Sequence, residues 1–232
     1  MGYQFLGGFT ITTEACNNYY DNNEEISDYI KTQIYEGLEK LEKSSGKVLG
    51  NRDTPLLLSV RSGARASMPG MMDTILNLGI NDEVVQTLAS KNRRFAYDSY
   101  RRFIQMYSDV VKEIPKKLFE DAIDTKKYQR GLKLDTDMDA NDLEDLVKVF
   151  KGIYKEQTGE DFPQNSREQL LDSVKAVFKS WNNPRAITYR KLNDIPSDWG
   201  TAVNIQEMVF GNMGDDCGTG VAFSRNPATR RK

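Results

Sequence analysis

The stretch LLLSVRSGARASMPGMMD, residues 56–73, decides how this chain is read. Leu56, Leu57 and Leu58 open an apolar run, placed here as a buried strand over 56–60, that passes straight into a loop. The loop holds Arg61 and Arg65 among small residues, two glycines and a proline. A loop made only to reverse direction needs no arginines, and a core strand does not tolerate them unpaired. A guanidinium at the end of a buried strand, beside Ser-Gly backbone whose N–H groups can point into a cleft, suits a polyphosphate. The alternative that this stretch leaves open is an Arg–carboxylate pair that closes a turn.

Outward from that stretch the chain is polar and regular. Its 232 residues are enough for one large domain or two modest ones. Charged residues make up 28% with a net charge of −2, both signs mixed along the chain, which argues against nucleic acid as a partner. Cys16 and Cys217 lie far apart and belong to no metal-ligand cluster, so no disulfide framework is expected, in keeping with a reducing, cytoplasmic setting. No window has the apolar length of a membrane span, and Met1 to Thr10 lacks the charged start of a signal peptide. Histidine is absent. A His-dependent triad, a histidine zinc site and a phosphohistidine relay are therefore impossible within these residues.

Periodicity places the elements. Residues 5–14 read as a short strand running into a helix with Thr13 as N-cap, and 24–44 as an amphipathic surface helix with Ile26, Tyr29, Ile30, Ile34, Leu38 and Leu41 at helical spacing. Residues 73–79 read as a strand or a helical turn ending at Gly79. Helices are expected over 82–90, 94–112, 116–124, 139–157 and 166–181. Asp135-Thr136-Asp137-Met138-Asp139 imitates a calcium loop but lacks its glycine and distal glutamate, so it reads as a solvated helix start. Alternation returns near Ala186 and over 201–210, read as a strand. The first and last portions thus read as α/β in character, with a helical insertion between them.

Residues 211–220 hold four glycines between strand-like runs, the second being Val221-Ala222-Phe223-Ser224. That layout suits either a long hairpin or a lid over nucleotide phosphates; it is no Walker loop, having no Gly-Lys-Ser/Thr. Phe95, Tyr97, Tyr100, Phe103 and Tyr107 recur at helical spacing around Arg101 and Arg102, as a packed face with surface arginines or as a base-stacking platform.

Four segments resemble the N-terminal, ATP-binding part of pyruvate, phosphate dikinases: LLLSVRSGARASMPGMMDTILNLG (56–79), RFAYDSYRRFIQMYSDVV (94–111), NPRAITYRKLNDIPSDWGTAVNIQEMVFGN (183–212) and GTGVAFSRNPAT (218–229). The first and third distinguish this family from phosphoenolpyruvate synthase. The resemblance implies an α+β fold: an incomplete ATP-grasp-type nucleotide-binding domain with an inserted helical subdomain. Residues 1–80 and 164–209 would form the α/β part, 81–163 the helical insertion, and 210–232 the start of a glycine-loop lid.

It further implies that Arg61 contacts the transferred phosphates as the catalytic residue, affecting rate more than resting affinity. Gly211, Gly214, Gly218, Thr219 and Gly220 would belong to the lid. Gln206 and Met208 would line the adenine side, and Met72 and Asp73 would wall the cleft. Arg65 is open between a phosphate contact and a carboxylate pair. The family uses ATP with Mg2+, and passes phosphoryl groups through a histidine on a swivelling domain to pyruvate. By this comparison the chain lacks an upstream lysine-bearing segment and the downstream magnesium ligands, with Arg230-Arg231-Lys232 in their place. Pyruvate and phosphate would be reached only through missing domains, with which the chain could associate. Alone it is expected to be inactive, the alternative being a non-catalytic remnant or weak nucleotide-binding module.

Overall fold

The computed structural model describes residues 6–214, 216–226 and 228–229. The sequence features at Met1–Phe5 and the basic tail Arg230–Lys232 lie outside the described residues. Strand β1 (Gly8–Ile11) leads into helix α1 (Thr13–Asp21), followed by α2 (Asp28–Ser45). Thr12, rather than Thr13, takes the extended N-cap position of α1, and Thr13 is its first helical residue. Two short strands, β2 (Val48–Leu49) and β3 (Pro55–Leu56), pair in parallel. Then come β4 (Leu58–Gly63) and β5 (Thr74–Leu78), which resolves the ambiguous 73–79 stretch as a strand.

The helical part comprises α3 (Val84–Lys91), α4 (Arg93–Lys112), α5 (Lys116–Arg130), α6 (Ala140–Thr158) and α7 (Ser166–Ser180). Its starts are written in side chains: Asn92 caps α4, Asn165 caps α7, and Asp139 with Asp142 forms a capping box on α6. The acidic 135–139 run is thus a helix start, Asp135–Asp137 forming a 3-10 turn. Helix α5 runs on past 124 to Gly131, whose φ of 67° ends it in the left-handed region. Around Ala186 the chain is helical rather than alternating, as α8 (Pro184–Leu192), capped by Asn183 with proline in its first turn. Strand β6 (Ala202–Glu207) completes the set. Val221 and Phe223 are exposed, and no strand forms among the described residues beyond β6, so the glycine-rich segment is not a hairpin between two strands.

Four strands make an antiparallel sheet in the order β1-β6-β4-β5. Alternation gives it two unlike faces. Ile11, Leu58, Val60, Ile75, Val203 and Ile205 are buried on one face, against which α7 packs, with α1 on β6 and α2 on β1. Helix α4 lies along β5 at the sheet edge and joins α3, α5, α6 and α7. The buried residues form one continuous core from Ile11 to Ile205, running through both the sheet and the helices. Phe162, between α6 and α7, stands edge-on to Tyr100, Phe103, Tyr107 and Tyr154 within 5.2–6.4 Å. The aromatics of α4 are thus a packed face and do not offer a stacking platform.

A smaller cluster of Met68, Trp181 and Ala186 ties the β4–β5 loop to α8. Arg190 of α8 is 2% exposed; its guanidinium stacks on Trp181 at 4.2 Å and donates to the Trp181 carbonyl and to Asn182 Oδ1. The negative end of α7 offsets this buried charge in place of a carboxylate. No helix among the described residues is long and apolar enough to cross a membrane.

Candidate functional site

The second face of the sheet is polar. Ser59 and Arg61 of β4 stand opposite Gln206 and Asn204 of β6, and Arg61 also faces Thr74 of β5. Thr10 of β1 stands opposite Asn204 and donates to its Oδ1 at 2.8 Å. The Ser59 hydroxyl donates to the Gln206 carbonyl at 3.3 Å. Arg61 is exposed, and its Nη2 donates to Gln206 Oε1 at 2.7 Å. Gly63 leaves room for the Asn204 amide: a Cβ there would lie 2.5 Å from Asn204 Nδ2. The four strands contain one basic residue, Arg61, and one acidic residue, Glu207. Glu207 is held by Lys47 at 2.6 Å. Among the described residues Arg61 has no carboxylate within ion-pair distance, so its charge stays available to an incoming anion.

The loop after β4 is held from one side by α8 and its flanks. Arg65 stacks over Trp199 at 4.7 Å, where a carboxylate pair or a phosphate contact was the expectation. Asn183 Nδ2 donates to the Met71 carbonyl at 3.0 Å. Met72 is half-buried against the Met68–Trp181–Ala186 cluster. The Asp73 carboxylate accepts from Arg185 at 3.3 Å, and its backbone N–H donates to Ser180 Oγ at 3.3 Å. Burial raises the Asp73 carboxyl above the usual range, Arg185 opposing and Asp109 adding to the rise.

Beside the sheet edge lies a cleft of about 360 Å3 between β5, α4 and α5. Leu76, Asn77, Arg101, Arg102, Asp109 and Lys116 are among its walls. Arg101 is 4% exposed, which corrects its reading as a surface residue. Asp98 explains the burial: its carboxylate meets Arg101 Nη2 at 2.8 Å and Arg102 Nε at 2.9 Å. The i, i+3 and i, i+4 spacing from Asp98 was the missed signal in the sequence. Arg102 remains exposed at this cleft.

The start of the glycine-rich segment is anchored. The Met208 N–H donates to the Leu57 carbonyl at 3.0 Å, and Met208 Sδ accepts the Asn77 N–H at 3.1 Å. Phe210 stands edge-on to Phe95 at 4.9 Å, and Asn92 Nδ2 donates to the Met213 carbonyl at 2.9 Å. Gly211 packs against Thr219 so closely that a Cβ would collide with it, whereas Gly218 and Gly220 border open space. Gly214 accepts, through its carbonyl, the Cys217 N–H at 3.2 Å. The structure therefore brings Arg61 and Gln206 into direct contact. It places Met208 beside β5, Met72 and Asp73 against the α8 side, and Gly211–Gly220 off the end of β6.

Residues 22–232 match the family described as pyruvate phosphate dikinase, AMP/ATP-binding domain. The chain belongs to this family. It is 60% identical over its whole length to pyruvate, phosphate dikinase of Clostridium symbiosum, covering 27% of that protein. Identity is 54% to the chloroplastic dikinase of Flaveria trinervia, covering 24% of it, and 50% to the dikinase of Rhizobium meliloti (strain 1021), covering 26%. The chain spans about a quarter of the length of these dikinases and corresponds to their N-terminal portion. Among the described residues no group of three or more His, Cys, Asp or Glu could hold a metal ion.

Proposed function

We propose that this chain is the nucleotide-binding part of a pyruvate, phosphate dikinase-type phosphotransferase, with the polar sheet face as the floor of an ATP-grasp-type cleft. The supporting observation is Arg61: exposed, held by a neutral amide, and the only basic residue in the four strands. In this reading the ATP phosphates lie over Arg61, whose guanidinium steadies negative charge as it shifts between phosphoryl oxygens. The hydroxyls of Thr10 and Thr74 and the amide of Asn204 border the same face. Met208 walls the base side, and Gly211–Gly220 closes over the phosphates. Met72 and Asp73 shape the arginine loop from behind.

Mg2+ would enter with the nucleotide's phosphates. The complete reaction, ATP, phosphate and pyruvate to AMP, diphosphate and phosphoenolpyruvate, belongs in this proposal to the full-length protein. A chain of 232 residues without histidine cannot itself carry a phosphohistidine. That absence favours a second reading of the isolated chain, a nucleotide-binding module without turnover, which associates with the remaining dikinase domains. Two free cysteines far apart in sequence fit a reducing, cytoplasmic location.

Thermal melting with and without millimolar Mg·ATP tests the site. Nucleotide that binds the folded chain raises the midpoint, and Arg61→Ala reduces the rise. An unchanged midpoint in the native chain would refute nucleotide binding. An unchanged rise in Arg61→Ala would put the phosphates elsewhere.

A further inference from the structure

We infer that Gln206 is a positioning residue for Arg61, and that its neutrality keeps the arginine's charge available to an anion; this rests on the nucleotide reading of the same face. Strand register places the pair. Gln206 stands opposite Ser59, two residues before Arg61, so all three side chains share one face. Gln206 Oε1 accepts from Arg61 Nη2 at 2.7 Å, while its backbone carbonyl accepts from Ser59. The amide fixes one arm of the guanidinium, and among the described residues its other donors meet no partner.

A carboxylate at position 206 would make the same hydrogen bond but cancel the charge. The sheet avoids this elsewhere too. Its one acid, Glu207, is the next residue along β6, so alternation turns it to the other face, where Lys47 neutralises it at 2.6 Å. Asn204 and Thr10, the neighbours of Arg61 across the strands, are neutral and bonded to each other. Arg61 is thus mounted entirely on uncharged groups, while Arg101 and Arg102 share the carboxylate of Asp98. Gln206 thereby acts on the anion through the arginine, rather than as part of the adenine wall.

Arginine-selective dicarbonyl labelling, read at Arg61 by peptide mass spectrometry, tests this without nucleotide. The dicarbonyl attacks the uncharged guanidine, and a carboxylate partner favours the charged form, so it slows the reaction. Gln206→Glu is therefore expected to slow Arg61 labelling about tenfold while the melting midpoint holds or rises. Gln206→Leu, which removes the hydrogen bond and adds no charge, is expected to label at least as fast as the native chain. Equal labelling in Gln206→Glu and the native chain, both folded, overturns the inference.

Mg·ATP protection is measured in parallel. Native Arg61 is expected to be protected, with roughly tenfold more Mg·ATP needed in Gln206→Glu. Full protection of Gln206→Glu at native concentrations would also overturn the inference. If Mg·ATP protects neither chain while Gln206→Glu still slows labelling, the nucleotide reading fails and the positioning role stands.

Discussion

At the scale of single residues the two cysteines differ by environment alone. Cys16 is fully buried under β6, and burial pushes its thiol up to about 11, the Thr201 backbone and Arg190 opposing the rise. Cys217 lies exposed in the glycine-rich segment. The native chain is expected to titrate one thiol rapidly with a disulfide reagent and two in denaturant; two fast thiols in the native state would contradict the burial of Cys16. The folded state holds the Cys16 proton more tightly than the unfolded chain. Its contribution to stability is whole below the ordinary thiol value of 9.0 and is lost as pH rises through about 11. The placement of Arg61 on a strand that begins as an apolar run was legible in the sequence, while its contact with phosphate remains the proposal made above. The partner of Arg61 was not legible, because cross-strand register joins residues 145 apart. Arg101 was misread for another reason: helical periodicity shows which side of a helix is apolar, not which arginine a carboxylate draws inward.

Among the elements, Phe162 shows how much depends on a residue outside any helix. It fills the space where α4 meets α6 and α7, in contact with four aromatic rings. Phe162→Ala is expected to cost about 3–5 kcal/mol, measured by denaturant unfolding, from lost burial and the cavity left behind. A loss below about 1 kcal/mol would mean that the cluster collapses to refill the space. Apart from the C-terminal end of α5, the long helices were readable to within a few residues because their apolar stripes repeat over several turns. Helix α8 was missed, although Asn183-Pro184 is a start signal, because its polar face hides the helical period. The strand expected at 221–224 did not form: a strand exists only through pairing, and no described strand adjoins it.

For the whole molecule, one core joins sheet and helices, which bears on the division into an α/β part and a helical insertion. Helix α4 packs on β5 as well as on α6 and α7. Calorimetry is expected to give one cooperative transition, with equal calorimetric and van't Hoff enthalpies. Two resolved transitions would show that residues 81–163 melt as a separate unit. That strands and long helices both occur was readable from the change in period along the chain, whereas the α+β class came from the family resemblance. The two unlike faces of the sheet were not, since strand order and register are long-range facts.

Arg190 carries a consequence for the order of folding. Its guanidinium loses water against the Trp181 carbonyl and Asn182 Oδ1, just past the end of α7, so α8 is expected to dock after α7 is complete. The arginine loop leans on α8 through Met68, Met71 and Asp73, and so takes its final shape later still. Pulse-labelled hydrogen exchange during refolding is expected to protect the amides of α7 first and the Asp73 amide, which bonds Ser180, last. Simultaneous protection would remove this order. The loop wall beside Arg61 is then the last part of the polar face to take shape.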